Sequence, residues 1–306
     1  MPCMDGLLII DKPAGMTSHD VVARVRKITG ERRAGHTGTL DPFATGVLII
    51  LLGRATRLAQ FLSRAEKEYE AVMRLGYATD TGDITGARVP HAGAQSPHSF
   101  RTEEIEAAMA SLLGEIEQIP PMYSAKKVGG KKLYELARRG EEIERQPVRV
   151  TVSEFETLGP IRRNEDETHD LEVRVVCTAG AYIRTLAEDL GKQLETGAHL
   201  TALRRTRVGH FRIEAGLTLE RLAELNGSIE SEMVSPDDAL SHLPAIDLSD
   251  EQARAGIHGI DLRLESDRAW LNNQPVRMRN RAGRLIAVGI YDQDEKLVHP
   301  AVVIGV

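Results

Sequence analysis

One stretch limits what this chain can become more than any other. Gly35–Leu48 reads Gly-His-Thr-Gly-Thr-Leu-Asp-Pro-Phe-Ala-Thr-Gly-Val-Leu. Glycine accepts backbone angles closed to other residues, and proline fixes one angle while removing a donor. The segment therefore reads as a shaped loop centred on Asp41. It is followed by an apolar run, Val47–Leu52, that suits a buried strand or the start of a helix. An Asp-Pro in a glycine-rich loop is ordinarily just a turn. Only the rest of the chain can give Asp41 another meaning.

Local patterns on either side are legible. Leu7-Leu8-Ile9-Ile10 predicts a buried strand stopped by Asp11-Lys12-Pro13-Ala14-Gly15. Thr17-Ser18-His19-Asp20 caps a helix over Val21–Ile28, with apolar positions at Val21, Val22, Val25 and Ile28. Arg54–Leu62 reads as helix and Lys67–Leu75 as an alternating strand. Thr79–Gly86 is a polar loop, and His91–His98 a surface loop. Thr102–Leu113 is an amphipathic helix with Thr102 as its N-cap. Tyr134–Gly140 is a short helix. Val148–Leu158 and Leu171–Thr178 are paired strands, with Arg162–Asp170 as the loop between them. A helix runs from Gly180-Ala181-Tyr182-Ile183-Arg184-Thr185 through Leu194, and another spans Leu219–Leu225. Past Pro236 a short helix, Ser249–Ala255, precedes the apolar runs Val276–Met278, Leu285–Tyr291, Leu297–His299 and Val302–Ile304. These signal a small β-rich domain. Its boundary is placed near Leu243-Pro244.

A chain of 306 residues has room for a large core plus a smaller domain. Its net charge of −6 excludes a uniformly cationic coat, though not a local basic surface. Two isolated cysteines, Cys3 and Cys177, do not make a disulfide framework and suit a reducing cytoplasm. There is no signal-peptide pattern and no apolar run near the roughly 20 residues that span a bilayer.

Most cofactor chemistries lack their motifs. No His-Glu-x-x-His or Cys/His cluster offers a metal site. No Gly-x-Gly-x-x-Gly follows a strand, no Walker loop is present, and no Gly-x-Ser-x-Gly marks a hydrolase. What remains is a carboxylate in a glycine-rich loop, a few tyrosines and several arginines. That set suits nucleophilic or general-base chemistry by an aspartate held ionised by an arginine.

The basic residues fall in three groups. Lys126, Lys127, Lys131, Lys132, Arg138 and Arg139 surround a Gly129-Gly130 turn, flanked by Tyr123 and Tyr134. Arg204, Arg205 and Arg207 form a second group, and Arg277, Arg279, Arg281 and Arg284 a third. Each can be read as a solvated charged face. Together with the aromatics they also suit a long polyanion such as RNA lying across both domains.

Taken in order, the motifs resemble those of the TruB-type pseudouridine synthases. Gly-His-Thr-Gly-Thr-Leu-Asp-Pro-Phe-Ala-Thr-Gly is similar to the catalytic loop of that family, with Phe43 where leucine is most often expected. Asp11-Lys12-Pro13-Ala14-Gly15-Met16-Thr17-Ser18 resembles the N-terminal motif. Lys67-Glu68-Tyr69, Thr79-Asp80-Thr81, Pro120-Pro121-Met122-Tyr123-Ser124-Ala125, Gly180–Thr185 and Leu200-Thr201-Ala202-Leu203-Arg204-Arg205 follow in the family's order. The match runs roughly from Gly6 to Gly209, and the C-terminal part is similar to a PUA module.

The resemblance implies an α+β fold: a mixed, mostly antiparallel central sheet with flanking helices, followed by a small β-barrel-like PUA module. It implies a catalytic domain over residues 1–243, with a basic RNA-binding arm at about 120–150, and a PUA-like domain over 244–306. The implied reaction isomerises one uridine in the T-loop of tRNA, at position 55, to pseudouridine, without cofactor or metal. In it Asp41 acts on the ribose or the base, Arg184 pairs with Asp41, and Tyr69 stacks on a flipped base. Leu203 floors the pocket, Tyr182 lies beside the aspartate and Lys12 supports the loop. His36 fills the space the base leaves. Lys126, Lys127, Lys131, Lys132, Arg204 and Arg205 bind the substrate RNA. The arm should be mobile alone and order on RNA. A monomer in the cytoplasm is expected. The competing reading is an RNA-binding module that helps tRNA fold by opening its elbow. An RNA-guided synthase suits the short chain and its arm less well.

Overall fold

The computed structural model describes residues 4–89, 100–124, 126–128, 131–137, 139, 141, 143–225, 228–264 and 269–305. The predicted loop His91–His98, Cys3, Gly129, Gly130, Arg138 and Gly140 lie outside the described residues.

The chain enters through β1 (Gly6–Lys12), buried along nearly its whole length. Helix α1 (Ser18–Thr29) follows. Thr17 caps it by accepting from the Asp20 nitrogen, and Asp20 answers by accepting from Thr17, so the predicted capping box is present. The short β2 (Ala34–His36) leads to the loop carrying Asp41 and then to β3 (Thr45–Leu52). The apolar run after the loop is therefore a strand, paired antiparallel with β1 on one edge. A 3₁₀ turn over Gly53–Leu58 and α2 (Ala59–Leu62) together occupy the predicted helix Arg54–Leu62.

Strand β4 (Lys67–Leu75) alternates strictly, with Lys67, Tyr69, Ala71, Met73 and Leu75 turned to the buried face. The hairpin strands β5 (Ala78–Thr79) and β6 (Arg88–Val89) flank the polar loop. Helix α3 (Thr102–Ala110) is capped by Arg101 rather than Thr102 and stops before Leu113. Glu104 accepts from the Arg101 nitrogen at 3.3 Å and from its Nε at 2.8 Å, which moves the helix start back by one residue. Strand β7 (Gly114–Gln118) precedes the arm, of which β8 (Lys127–Val128), β9 (Lys131–Lys132) and α4 (Leu133–Ala137) are described. The predicted pair is β10 (Val148–Thr157) and β12 (His169–Cys177). Their joining segment is not all loop, because β11 (Arg162–Arg163) pairs back onto His169 and Asp170.

Helix α5 (Ile183–Gln193) packs against β13 (Ala198–Val208), which continues into β14 (Phe211–Arg212). The principal sheet runs β1-β3-β13-β4-β12-β10-β7. Its seams are antiparallel except β13–β3, which is parallel. The expected mixed, mostly antiparallel sheet is thus present. One core lies between this sheet and α3 and α5; a second packs α1 and α6 (Leu219–Glu224) on β1 and β3.

After α7 (Pro236–Ala239) the second sheet forms from β15 (Ala245–Asp247), β16 (Leu262–Arg263), β17 (Pro275–Arg279), β18 (Leu285–Asp292) and β19 (Leu297–Val303). Its order is β15-β17-β18-β19-β16, with α8 (Asp250–Ile257) against it. The runs Leu297–His299 and Val302–Ile304 are largely one strand, with a register shift at Val288/Gly289 opposite. Leu285, Val288, Val302 and Ile304 share a buried cluster with Leu7, Ile9, Ile49 and Leu58, so the two sheets meet through a common apolar core.

Candidate active site

The loop after β2 is held from three sides. Ser18, buried at the start of α1, donates through Oγ to the Leu40 carbonyl (3.2 Å) and accepts from the Leu40 nitrogen (2.9 Å). The Lys12 ammonium, fully buried, donates to the carbonyls of Pro13, Met16 and Pro42 at 2.8, 2.7 and 3.3 Å. The Gly15 nitrogen donates to the Pro42 carbonyl at 2.8 Å. The Asp11–Ser18 segment is thus a cradle for the aspartate loop. Burial holds the Lys12 ammonium down to about 8, with Asp41 opposing that shift.

Asp41 is gripped by Arg184 at the start of α5. Arg184 Nη2 donates to Oδ1 at 3.1 Å, and its Nε lies 2.9 Å from Oδ2 as an ion-pair contact. The rest of the guanidinium is anchored: Nη1 donates to the Thr81 carbonyl (2.9 Å) and Nη2 to that of Tyr123 (2.7 Å). The polar loop after β5 and the lead into the arm therefore both converge on one arginine. Removal from water pushes the Asp41 carboxyl up from its ordinary value; Arg184 opposes this and Asp83 adds to it. Burial thus favours the acid form and the guanidinium the anion, and both act on the same carboxyl.

A cavity of about 270 Å³ opens beside Asp41. Tyr69, Tyr182, Leu203, Lys126, Arg184 and Arg205 line it, with Ser63 and Lys67. Asp41 is the single carboxylate among its described lining residues. Tyr69 and Leu203 lie on adjacent strands β4 and β13 and offer a ring face and an apolar floor. Burial raises the Tyr69 hydroxyl above its ordinary value, with Arg205 opposing, so the phenol is protonated at neutral pH. Tyr182 caps α5, and its backbone is clamped by Gln118, whose Oε1 accepts from the Tyr182 nitrogen at 2.9 Å.

Other residues singled out from the sequence fall elsewhere. His36 is half-buried outside the cavity lining, edge-on to His19 with ring centroids 5.4 Å apart. Burial, then His19, holds it down to about 4, so it is neutral at physiological pH. Arg204 points to the opposite face of β13 from Arg205 and pairs with Asp11 at 2.8 Å. Arg205 is buried and donates to the carbonyls of Val47 (2.7 Å) and Gly38 (3.1 Å). Arg207 pairs with Glu66 and Glu68. The expected surface patch at 204–207 therefore does not form: strand alternation splits these arginines, and each is anchored within the fold. Arg277 is likewise anchored on Asp237 and Arg279 on Asp247. Lys127, Lys131 and Lys132 lie in the short arm strands.

Sequence reading missed Ser18, Gln118 and the carbonyls of Thr81 and Tyr123. Ser18, Thr81 and Tyr123 lie inside the quoted motifs, whereas Gln118 stands just before Ile119-Pro120-Pro121, outside them.

The cavity brings one carboxyl, a tyrosine ring and an apolar leucine together in one cleft. Residues 26–183 match the N-terminal domain of the TruB family pseudouridylate synthases, and 184–242 match the tRNA pseudouridylate synthase B C-terminal domain. A tRNA pseudouridine synthase B of Geobacillus kaustophilus (strain HTA426) is 47% identical, covering 85% of this chain and 92% of the relative. That of Aromatoleum aromaticum (strain DSM 19018 / LMG 30748 / EbN1) is 47% identical over 94% and 89%. Among solved structures, a Cbf5–Nop10–Gar1 complex contains a chain similar at a TM-score of 0.75 and 29% identity, over 97% of this chain and 84% of that one. An H/ACA RNP bound to a substrate RNA containing 2′-deoxyuridine contains another, at 0.73 and 27%, over 98% and 84%. The chain belongs to the TruB family of pseudouridine synthases. Its C-terminal sheet is consistent with a PUA-like module.

Proposed function

We propose that this pseudouridine synthase acts on tRNA, converting the uridine at position 55 of the T-loop. The observation that carries the reading is the Asp41–Arg184 ion pair opening on a cavity of about 270 Å³, which admits a single base and not a helix. The target must therefore leave its stack, at a cost of a few kcal/mol. Tyr69 and Leu203 sandwich the extruded base, Tyr182 borders the aspartate, and Lys12 keeps the loop in place. His36, neutral and near the protein surface, fills the vacated space in the RNA.

Asp41 then attacks C1′, removes the 2′ proton, or adds to C6. In every route the bond from C1′ to N1 is exchanged for one to C5, and no redox change occurs. Lys126 at the cavity mouth and Lys127, Lys131 and Lys132 in the arm meet the phosphates. Residues 1–243 form the catalytic unit and 244–306 the PUA-like unit, working as a monomer in the cytoplasm.

The test is incubation with a T-arm stem-loop and mapping of pseudouridine at each uridine. One modified position is expected with the wild type and none with Asp41→Asn, at a Kd changed by less than about tenfold, or roughly 1.4 kcal/mol. Full turnover by Asp41→Asn would remove Asp41 from the chemistry.

A further inference from the structure

Among the described residues, two cations in the cavity wall, Lys67 and Arg205, have no carboxylate within ion-pair reach. Lys67 is two residues before Tyr69 on the same face of β4, and Arg205 is directly across from Tyr69 on β13. Their side chains converge on Gly38, three residues before Asp41: a Cβ there would lie 3.5 Å from Lys67 Cε and 3.7 Å from Arg205 Nη1. Both are buried, at 6% and 1% exposure. Lys67 Nζ donates to the carbonyls of Ser63 (3.1 Å) and Ala65 (2.7 Å), and Arg205 donates to Val47 and Gly38.

Carbonyls satisfy the donors but do not cancel the charge. Among the described residues neither cation has a carboxylate within ion-pair reach, whereas nearby Arg184, Arg204 and Arg207 each have one. Two neighbouring buried cations without an anion are unfavourable in a resting fold. Burial, and then Arg205, already holds the Lys67 ammonium down to about 8. Such a wall is suited to negative charge that arrives only with the substrate.

We propose that Lys67, together with Arg205, stabilises the negative charge that gathers on uracil as its bond to the ribose breaks. The proposal rests on the reading of the chain as a pseudouridine synthase. In the step, the C1′–N1 bond breaks and its electron pair stays with the base, spread over N1, O2 and O4. C1′ is taken by an Asp41 oxygen, or a C1′–C2′ double bond forms as Asp41 takes the 2′ proton. C5 of the same anion then bonds to C1′ as the Asp41–C1′ bond breaks or, in the second route, as Asp41 returns its proton to C2′; the C5 proton leaves, and N1 gains one. The uracil anion lies between Tyr69 and Leu203, on the strands that carry the two cations. Fixed charge there acts only while the anion exists, so it favours the reaction rather than binding.

The test uses a T-arm stem-loop with uridine or 5-fluorouridine at the target, in single turnover with excess enzyme. Fluorine withdraws electrons and eases formation of the anion, so the fluorinated base needs the cation less. Lys67→Met should slow consumption of uridine about 100-fold, as removal of one charge-stabilising donor does. Its penalty on 5-fluorouridine should be at most about a tenth of that, and Lys67→Arg should recover most of the rate on uridine. Both RNAs meet the same protein preparation, so a folding defect cancels from the ratio. An equal penalty on both RNAs, or none on either, overturns the proposal. A wild type that leaves every uridine unmodified would instead remove the synthase reading, and this proposal with it.

Discussion

Gly46 lies against the backbone of Arg205, so closely that a Cβ on Gly46 would collide with the Arg205 carbonyl and nitrogen. The two residues are register partners in the parallel seam between β3 and β13, and Gly46 holds a φ of 101°. The end of the aspartate loop is thus bolted to the strand that carries Leu203 and Arg205. Gly46→Ala should destabilise the protein by about 3 kcal/mol, from strain and overpacking together. Gly35, in the same motif, faces open space, and Gly35→Ala should change stability by less than about 0.5 kcal/mol. Urea denaturation of both variants checks the contrast; equal losses would mean the seam is not what demands glycine.

The pH dependence of turnover should report Asp41. Its carboxyl is pushed above the ordinary 3.8, and the proposed chemistry uses its anion, so activity should be lost as pH falls through that raised value. Arg184 opposes the shift, so Arg184→Met should move the acid limb further up. Single-turnover rates across pH decide this; an acid limb that stays put in the variant would assign it to another group.

Lys12→Met should cost roughly 2–3 kcal/mol, by leaving the carbonyls of Pro13, Met16 and Pro42 without their donor. The difference should depend on pH. The folded ammonium loses its proton at about 8 and the unfolded one at 10.5, so between these values the unfolded chain binds more protons. Wild-type stability therefore gains on the variant as pH rises through that window. Denaturation at pH 7 and pH 10 measures it; a constant difference would mean Lys12 is not held as a strained ammonium.

Arm and C-terminal cations should separate in their salt dependence. Replacing Lys131 and Lys132 together should flatten the dependence of tRNA affinity on log salt by about one to two units. Arg277 is clamped on Asp237 at 2.8 Å and on the Leu243 carbonyl at 3.0 Å, with 12% side-chain exposure. Arg277→Ala should leave the salt slope unchanged and lower stability by roughly 3 kcal/mol. Titrations at several salt concentrations, beside melting curves, test both; a flattened slope for Arg277→Ala would place that residue on the RNA.

Much of this was legible from local pattern. The capping box at Thr17 and Asp20, the buried runs of β1 and β3 and the alternation of β4 are each written within about ten residues. Errors arose at element ends, where contacts a few residues along the chain shifted the boundaries. Arg101 displaced Thr102 as a cap through its contact with Glu104, and Arg162 and Arg163 were drawn from a loop into a strand by His169 and Asp170.

The sequence by itself determined that Asp41 sits in a glycine-shaped loop before a buried strand, because backbone freedom and hydrophobic period are local properties. It also carried the family, through motifs kept in order. Which charges meet was decided only by tertiary structure. Arg204 and Arg205 are adjacent in sequence, yet one reaches Asp11 and the other a cavity wall, since a strand sends successive side chains to opposite faces. Asp41 and Arg184 stand 143 positions apart and share a hydrogen bond and a second ion-pair contact, since the loop before β3 and the start of α5 are brought together by the sheet beneath them.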